Sequence, residues 1–515
     1  NDNTTASANT AVGYNSLAVN TTGTENVAIG AYALDANTTA SNNIAIGKSS
    51  LGTNTTGASN VAVGDLALFA NTTASNNVAV GKDALTANTT GAENVAVGYQ
   101  ALDAITDAEA NTAVGYQALT ASTASNNTAF GHTALTANTT GTQNSAFGRG
   151  ALDANTTGNY NMAFGSHALG ANTTASDNIA IGYQALTANT TGDKNNAFGG
   201  TALDANTTGT NNAAFGYAAL GANTTGSANI AVGDYTLDAN TTASNNTAVG
   251  YSALTANTTG TENVAVGANS GDANTTGAQN TSVGSNSFGA NTTGENNTAI
   301  GTYALNANTT ASNNTAVGRD ALLANTTGAS NTAAGKDALR ANTTASNNTA
   351  VGLDALTANT TGSENTAVGQ NALDANTTGQ GNTCMGQSSL SSNTTASNNT
   401  AIGLDALNSN TTGGNNTAFG KSAQSTTGSG SNNTTIGYDT RIGAADGQGQ
   451  IVIGSSVYGT TNTRVHIGNS SSHIYNNYNS NATWTHSSDE RAKKDIELST
   501  LGLEFINDLK PATYK

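Results

Sequence analysis

The chain has 515 residues, of which only 9% are charged and 5% aromatic, and its formal net charge is −17. That balance argues against a nucleic-acid-binding protein, because phosphate backbones are bound by clustered Lys and Arg side chains. No apolar run approaches the length of a membrane span and no signal peptide is visible, so we expect no membrane insertion. Because the first residue is Asn1 and not Met, we expect the protein to extend beyond this sequence.

A seventeen-residue repeat organises the chain. Its clearest copies are Asn-Val-Ala-Val-Gly-Tyr-Gln-Ala-Leu at 94–102 and Asn-Thr-Ala-Val-Gly-Tyr-Gln-Ala-Leu at 111–119. The glycine recurs in steps of seventeen from Gly13 to Gly115 and, after one step of sixteen, from Gly131 to Gly454. A period this strict indicates a repeat architecture.

The fold class predicted from this repeat is all-β, a β-solenoid or β-roll of 17-residue coils. A helical alternative fails, since a glycine in every turn costs roughly 1 kcal/mol relative to alanine. If each repeat is one coil at roughly 4.8 Å per layer, some 27 layers form a rod on the order of 130 Å long.

The coil at 26–42 shows how we expect each repeat to fold. Residues 26–30 are predicted to form a short strand, 31–35 a second extended piece, 36–39 a bend or third strand, and 40–42 the return turn. Alternation along the first strand places Val27 and Ile29 on one face and Ala28 on the other.

We interpret the Ile29 face as the inside of the coil, shared with Leu34, because position 29 is Val, Ile or Phe in nearly every copy. The position of Ala28 is almost always alanine, which suggests the close approach of another backbone, such as that of a neighbouring chain. Stacked asparagines such as Asn26, Asn43 and Asn60 are expected to form side-chain amide ladders.

The return turn has two versions that do not mix. One reads Thr-Thr-Gly followed by variable residues, as at Gly57, and the other reads Thr-Thr-Ala-Ser followed mostly by Asn, as at Asn76. Glycine and asparagine tolerate positive φ. We therefore predict that the turn needs one such residue, supplied either early by Gly or later by Asn.

Three regions are predicted: a repeat shaft at 1–454, a β neck at 455–486 that contains Trp484, and a region at 487–515 in which Lys and Arg become dense. Within the last region, residues 500–509 read as a short helix with Leu501 and Phe505 on one face.

The C-terminal region carries a specific resemblance. Ser-Asp-Glu-Arg-Ala-Lys-Lys-Asp-Ile at 488–496, with Leu-Glu-Phe-Ile at 503–506, closely resembles the opening of the endosialidase-type intramolecular chaperone. That domain closes phage tail fibres and tailspikes, assists their trimerisation and then cuts itself off. The resemblance implies that Ser488 is the nucleophile at the Ser487–Ser488 bond and that Lys493 assists it. The alternative is a solvated charged turn before a helix.

Only 488–515 is covered by this resemblance, and the sequence stops well before a whole chaperone would end. We therefore expect the present chain to lack the cutting activity.

The repeats themselves resemble the head repeats of trimeric autotransporter adhesins. Their Asn-Ser-Val-Ala-Ile-Gly motif is matched, without the serine, by Asn-Val-Ala-Ile-Gly at 26–30. The resemblance implies three chains that wrap left-handed β-rolls around one axis. The period of seventeen is longer than usual in those heads, so the packing between chains is expected to differ in detail. Similar repeats also occur in phage fibres.

The residue after each repeat glycine varies most and forms a candidate ligand ridge. It is tyrosine at Tyr99, Tyr116, Tyr183, Tyr217 and Tyr251, and Lys or Arg at positions 48, 82, 149, 319, 336 and 421. Stacked layers place these side chains in one outward row, which suits sugar stacking or contact with an acidic surface. The alternative is that the row is simply exposed.

We find no catalytic triad, phosphate loop or zinc-ligand spacing, and we predict no cofactor, no metal site and no enzyme activity apart from self-cleavage. The function predicted is a homotrimeric phage tail fibre, located in the virion tail, whose partner is a host cell-surface glycan or protein. We expect dissociated chains to lose the fold, because each coil has a thin core.

Two other functions are alternatives to the tail fibre. One is a bacterial trimeric surface adhesin, and the other is a depolymerase tailspike. A depolymerase needs paired carboxylates in a groove, and identical repeats do not create a unique groove.

Overall fold

The computed structural model describes residues 5–426 and 428–478 and the short strand at 485–486. It divides into two units, Asn1–Asn365 and Thr366–Lys515, each of which is described by itself. Trp484, Ser487, Ser488, Lys493 and the helix expected at 500–509 lie outside the described residues, and their predicted roles stay predictions.

The chain is all-β, a β-solenoid of about 27 coils of roughly 17 residues, and the described residues contain no helix. The prediction of an all-β solenoid is therefore confirmed. The first unit contains twenty-one strands: β1 (Thr10–Val12), β2 (Val27–Ile29), β3 (Ile44–Ile46), β4 (Val61–Val63), β5 (Val78–Val80), β6 (Val95–Val97), β7 (Thr112–Val114), β8 (Thr128–Phe130), β9 (Ser145–Phe147), β10 (Met162–Phe164), β11 (Ile179–Ile181), β12 (Asn196–Phe198), β13 (Ala213–Phe215), β14 (Ile230–Val232), β15 (Thr247–Val249), β16 (Val264–Val266), β17 (Thr281–Val283), β18 (Thr298–Ile300), β19 (Thr315–Val317), β20 (Thr332–Ala334) and β21 (Thr349–Val351).

The strands pair in parallel with the same residue of the next coil opposite, as in Val27↔Ile44, Ala28↔Ala45 and Ile29↔Ile46. Residues at the same place in successive coils therefore form rows, each named here after its member in the coil at 26–42. At the usual strand spacing of about 4.8 Å, the first unit stacks to roughly 100 Å.

The structure contradicts the predicted assignment of the two strand faces. Ala28 is fully buried inside the coil with Ala33 and Leu34, whereas Ile29 is 38% exposed on the outer face. The coil interior is too narrow for a large side chain from the strand once Leu34 fills it, so the strand contributes only a methyl group. The alanine row is small because of the coil's own interior and not because another chain approaches it.

Each coil also contains one strand and not two or three. Residues 31–36 form turns, in which Tyr32 and Leu34 adopt left-handed backbone conformations with φ of 61° and 49°. The expected second extended piece is therefore wrong. The two left-handed residues turn the chain around the Leu34 side chain, which then points into the coil.

The amide ladder expected at Asn26, Asn43 and Asn60 is confirmed. The Asn43 backbone N–H donates to Asn26 Oδ1 at 3.0 Å, and Asn60 Nδ2 donates to Asn43 Oδ1 at 3.2 Å. Asn43 Nδ2 also donates to the carbonyl of Gly57 at 2.9 Å. These side chains are buried, so the ladder satisfies polar groups that would otherwise be left without partners.

A second ladder, in the Asn37 row, was not predicted. Asn54 Nδ2 donates to Asn37 Oδ1 at 3.1 Å and to the carbonyl of Gly57 at 2.9 Å. Ile105 interrupts this row, and the Oδ1 atom of Asn88 in the preceding coil has no hydrogen-bond partner among the described residues. The irregular copy at 105–110 is therefore a fault in one ladder, while the strands around it stay paired.

The prediction that a positive φ in the return turn is supplied either early by Gly or later by Asn is confirmed for Asn and wrong for Gly. Positive φ falls on the same third turn residue in both versions, at Asn42 (63°) and at Ser59 (59°). Gly57 is required for a different reason, since a Cβ there would lie 2.1 Å from the carbonyl oxygen of Ala74 in the next coil. In the other version, the Ser75 hydroxyl oxygen accepts the Ala58 backbone N–H of the preceding coil at 3.0 Å.

The one coil of sixteen residues keeps the strands in register. Thr112 still pairs with Thr128 and Ala113 with Ala129. The missing residue is absorbed by the turn, where Ser122 occupies a place in the Asn37 row and accepts a hydrogen bond from Asn138 Nδ2 at 3.4 Å.

The second unit contains β22 (Thr366–Val368), β23 (Thr383–Met385), β24 (Thr400–Ile402), β25 (Thr417–Phe419), β26 (Thr434–Ile436), β27 (Ile451–Ser455), β28 (Arg464–Asn469), β29 (His473–Asn477) and β30 (Thr485–His486). Strands β22 to β26 continue the three-residue pattern. Strands β27, β28 and β29 are longer, and β29 pairs antiparallel with both β28 and the two-residue β30. The parallel stacking of this unit therefore ends in an antiparallel sheet.

Candidate functional site

The five tyrosines of the predicted ridge are all exposed, and the structure sorts them into three groups. Tyr99 stacks on Tyr116 with ring centroids 5.4 Å apart, and Tyr116 stacks on His132 at 5.0 Å. Lys82 Nζ lies 6.0 Å from the centroid of the Tyr99 ring. Four successive coils thus carry one continuous ladder of a cation and three rings.

Tyr183 stands apart, since Gly200 carries no side chain in the following coil. The third group joins Tyr217 and Tyr251 through Tyr235, whose ring meets both edge-on at 5.6 Å and 6.1 Å. Tyr235 belongs to the Tyr32 row, one residue further along the coil, so the sequence pattern of the ridge did not include it.

The Val27 and Ile29 rows form an outer apolar face, although the sequence predicts this face to be the inside of the coil. This face runs along the strands of the first unit and consists mainly of Val, Ile, Phe and Thr side chains that are half-buried or exposed. Phenylalanines stack along it, Phe130 on Phe147 at 5.4 Å and Phe198 on Phe215 at 4.7 Å.

A groove of about 510 Å³ opens on a third part of the coil surface, in the Tyr32, Asp35 and Ala36 rows of three successive coils. The polar side chains that line it are Asp153, His167, Gln184 and Thr187. The lining also includes Gly170 and the alanines Ala154, Ala171 and Ala188.

Two glycines shape this groove, Gly150 by leaving room for the His167 ring and Gly170 by leaving a gap in the lining. A Cβ at Gly150 would lie 2.8 Å from His167 Nδ1 and 3.5 Å from Asp153 Oδ2, so the imidazole ring occupies the space that a side chain at Gly150 would fill. At Gly170 the Asp35 row lacks a side chain between Asp153 and Thr187. Burial raises the pKa of the Asp153 carboxyl, and the nearby His167 partly offsets that rise.

The antiparallel end of the second unit contains a buried imidazole. His466 is fully buried, and neither ring nitrogen has a hydrogen-bond partner among the described residues. Its ring lies 5.8 Å from that of Tyr475 and 5.5 Å from that of His473. Burial, with His473 and Arg464 nearby, lowers the pKa of His466 to about 4.

Cys384 occupies the Ala28 row and is fully buried, and that burial raises the pKa of its thiol above the usual range. Across the described residues, no group of three or more His, Cys, Asp or Glu side chains is placed to hold a metal ion. A search of the same residues finds no helix of the length and apolarity needed to cross a membrane. In comparisons with known proteins, neither a family model nor a curated protein matches the chain.

Proposed function

We propose that this chain is the shaft of a homotrimeric phage tail fibre, located in the virion tail, that attaches to a host-surface glycan or protein. The observation that carries the proposal is the outer apolar face. Strands of parallel sheets that are covered on both faces carry near-continuous apolar residues. The Ile29 row of the first unit follows that pattern, since it is Val, Ile or Phe in every coil except at Ala334. The inner face is covered by the coil itself, and the outer face is open in a single chain.

The size of the outer apolar face suits association with further copies. Its two rows lie on alternate residues, so the band is about 7 Å wide, and over roughly 100 Å it offers about 700 Å² per chain in the first unit. Stable interfaces bury about 800 Å² per partner. Identical copies are the natural occupant, because rows of the same spacing match along their whole length. Three copies follow from the resemblance to trimeric adhesin heads.

Charge placed on this face provides the test. We expect Val97→Lys combined with Val114→Lys to abolish the trimer, since both side chains lie in the Ile29 row. Released chains should melt at a lower temperature because their outer face is left in water. The matched control is Gln100→Lys with Gln117→Lys, which adds the same charge to the same two coils in the Tyr32 row. Analytical ultracentrifugation that shows a wild-type monomer, or equal loss of mass in both variants, would contradict the interface.

The self-cleavage part of the proposal rests on the sequence resemblance alone. In a chain that carries a complete chaperone domain after Lys515, we expect cleavage between Ser487 and Ser488 only once trimers form. Lys493 can act as a base only where burial lowers its pKa, which an unfolded chain does not provide. Ser488→Ala should form trimers whose chains run at full length on a denaturing gel. Cleavage of that variant at the same bond would show that Ser488 is not the nucleophile.

A bacterial trimeric surface adhesin is the second candidate, favoured by the Asn-Val-Ala-Ile-Gly motif at 26–30. It predicts the same trimeric shaft on a bacterial cell surface, but a membrane anchor in place of the chaperone. Sequencing of the gene beyond Lys515 separates the two, because a tail fibre should continue into a chaperone domain.

A further inference from the structure

We infer that the groove formed by Asp153, His167, Gln184 and Thr187 is a saccharide-binding site that takes a neutral sugar unit. The inference deepens the proposed attachment role and rests on it for its biological purpose. The binding itself is a property of the purified chain and is measured separately.

The polar groups of the groove match sugar hydroxyls better than other ligand groups. Asp153 offers a carboxylate acceptor, Gln184 a donor and an acceptor, and His167 an imidazole that donates or accepts. The Thr187 hydroxyl donates its own hydrogen to the His167 carbonyl oxygen at 3.0 Å, which leaves its oxygen as an acceptor. A ligand that satisfies this mixture must donate and accept at several neighbouring atoms, as vicinal hydroxyl groups do.

The charge of the site and of the chain argues against anionic ligands. Asp153 is half-buried and carries the one carboxylate of the lining, where no Lys or Arg is present. With a net charge of −17, the chain as a whole also repels anions. A neutral sugar brings no charge to be compensated.

The apolar part of the groove lining fits the apolar side of a sugar ring. The methyl groups of Ala154, Ala171 and Ala188 and the bare backbone of Gly170 line it. A pyranose has one face of C–H groups and a rim of hydroxyls, so it can cover alanine methyls while its rim meets the polar side chains. Ligand sites commonly combine an apolar lining with a few placed polar groups in this way.

The Ala36 row continues as alanine in the coils on either side, at Ala137 and Ala205. A longer saccharide can therefore extend along the coils beyond the groove. Tyr183, which is 60% exposed, directly precedes Gln184 in the chain and offers an aromatic surface on the same coil.

The test uses two substitutions in the groove. Asp153→Asn replaces the carboxylate with a neutral amide. Gly170→Thr places a threonine in the Asp35 row, where the next coil already has Thr187. Gly170 has no left-handed φ, and a Cβ there would lie 3.3 Å from the His167 carbonyl oxygen and 3.5 Å from Asp153 Oδ1. The variant should therefore fold with a small adjustment while its side chain fills the groove.

Two matched controls lie in the Asp35 row of coils outside the groove. Asp103→Asn removes an equivalent half-buried carboxylate, and Gly52→Thr introduces the same side chain against the movable ring of Phe69. All four variants and the wild type would be titrated against an immobilised panel of neutral oligosaccharides of hexoses and N-acetylhexosamines, with sialylated and sulfated oligosaccharides alongside.

We expect the wild type to bind at least one neutral oligosaccharide, and both groove variants to bind it at least tenfold more weakly while both controls bind as the wild type does. The inference is overturned if no neutral oligosaccharide binds, if only anionic ones do, or if the groove variants and controls behave alike. Whole-cell adsorption separates this result from the proposed function. If fibres with Gly170→Thr still adsorb to host cells, the groove takes no part in attachment, while the proposal that the chain is a fibre is unaffected.

Discussion

Ala28 and its copies limit how wide each coil is. Because the alanine side chain points inward beside Leu34, the interior of the coil is filled by one leucine, a few methyl groups and the buried asparagines of the two ladders. Interiors packed to this density tolerate little added volume. The left-handed conformation of Leu34 has the same origin, since only that turn directs the leucine into so small a space.

Enlarging this row should therefore destabilise a single chain. We expect Ala96→Leu to lower the free energy of unfolding by about 1–3 kcal/mol, the usual cost of overpacking a core. Gln100→Ala in the same coil should cost less than about 0.5 kcal/mol, because it removes only a half-buried amide contact with Gln117. Chemical denaturation of the two variants provides the comparison. Equal losses would mean that the Ala96 row does not line the interior.

The ladders of asparagine are the elements that connect coil to coil in the interior. Asn54 and Asn88 occupy the same row in coils with the same Thr-Thr-Gly turn, and each donates two hydrogen bonds through Nδ2. They differ on the acceptor side. Asn71 Nδ2 donates to Asn54 Oδ1 at 2.8 Å, while Ile105 leaves Asn88 Oδ1 without a partner among the described residues.

This difference predicts unequal costs for one substitution. Asn54→Ala should destabilise the chain by about 1 kcal/mol more than Asn88→Ala, because it also leaves a buried Asn71 donor unpaired on one side. Thermal and urea unfolding of both variants would measure the gap. A larger loss for Asn88→Ala would show that the ladder does not carry the stability assigned to it.

The antiparallel pair of β28 and β29 should respond to acid. The pKa of His466 is lowered to about 4 in the fold, below its ordinary value of 6.5, so the fold favours the neutral ring. That stabilisation is fully present above pH 6.5 and is lost as the pH falls toward 4. His473 and Arg464, both nearby, add to the cost of protonation.

Hydrogen exchange of the amides of β28 and β29, corrected for the intrinsic effect of pH, would follow this loss. We expect protection to fall between pH 6.5 and 4.5 in the wild type and to stay nearly constant in His466→Phe, which keeps a ring of similar size without a titrating group. Loss of protection in both proteins would assign the acid effect to other groups.

The sequence predicts the elements of this fold unevenly. The period and the Asn26 ladder were predictable, because identical residues stacked in register must meet their own copies. The choice between the two strand faces was not, since alternation defines the faces but gives no sign of which one points inward. Large apolar side chains at Ile29 favoured the wrong face, and only the narrow coil interior reverses that preference.

The groove was invisible in the sequence for a related reason. Gly150 and Gly170 depart from two different rows, twenty residues apart, and each alone resembles ordinary variation. They shape one groove together because the coils bring the Tyr32 row of one coil beside the Asp35 row of the next. The exposure of the ridge tyrosines was predictable from their place after the glycine, but their grouping depends on ring stacking.

For the whole molecule, half-buried carboxylates in the Asp35 row predict a second and opposite response to pH. Burial raises the pKa values of Asp35, Asp103, Asp153, Asp204, Asp238 and Asp272. When folding raises the pKa of a carboxyl group, protonation of that group stabilises the folded state. Its stabilisation is fully present below the unfolded pKa and is lost as the pH rises through the folded pKa.

Repeat-shaft unfolding should therefore shift to higher temperature as the pH falls from neutral toward 3.8, the ordinary pKa of these carboxyls. The change per residue is small, because each carboxyl keeps substantial contact with water. Circular dichroism of the wild type and of a variant with all six residues changed to Asn measures the sum. The variant should melt at a temperature that depends less on pH, and an equal pH dependence in both would assign it to other carboxyls.

Because the coils stack in register, the length of the repeat region can change only by whole coils. An insertion or deletion of one seventeen-residue unit leaves every row continuous on both sides of the change, so it costs the fold only the coil itself. Similar successive repeats in a gene are also prone to unequal recombination. Related chains should therefore differ in reach by multiples of one layer, about 4.8 Å, while single-residue losses such as the one before Gly131 survive only in the turns.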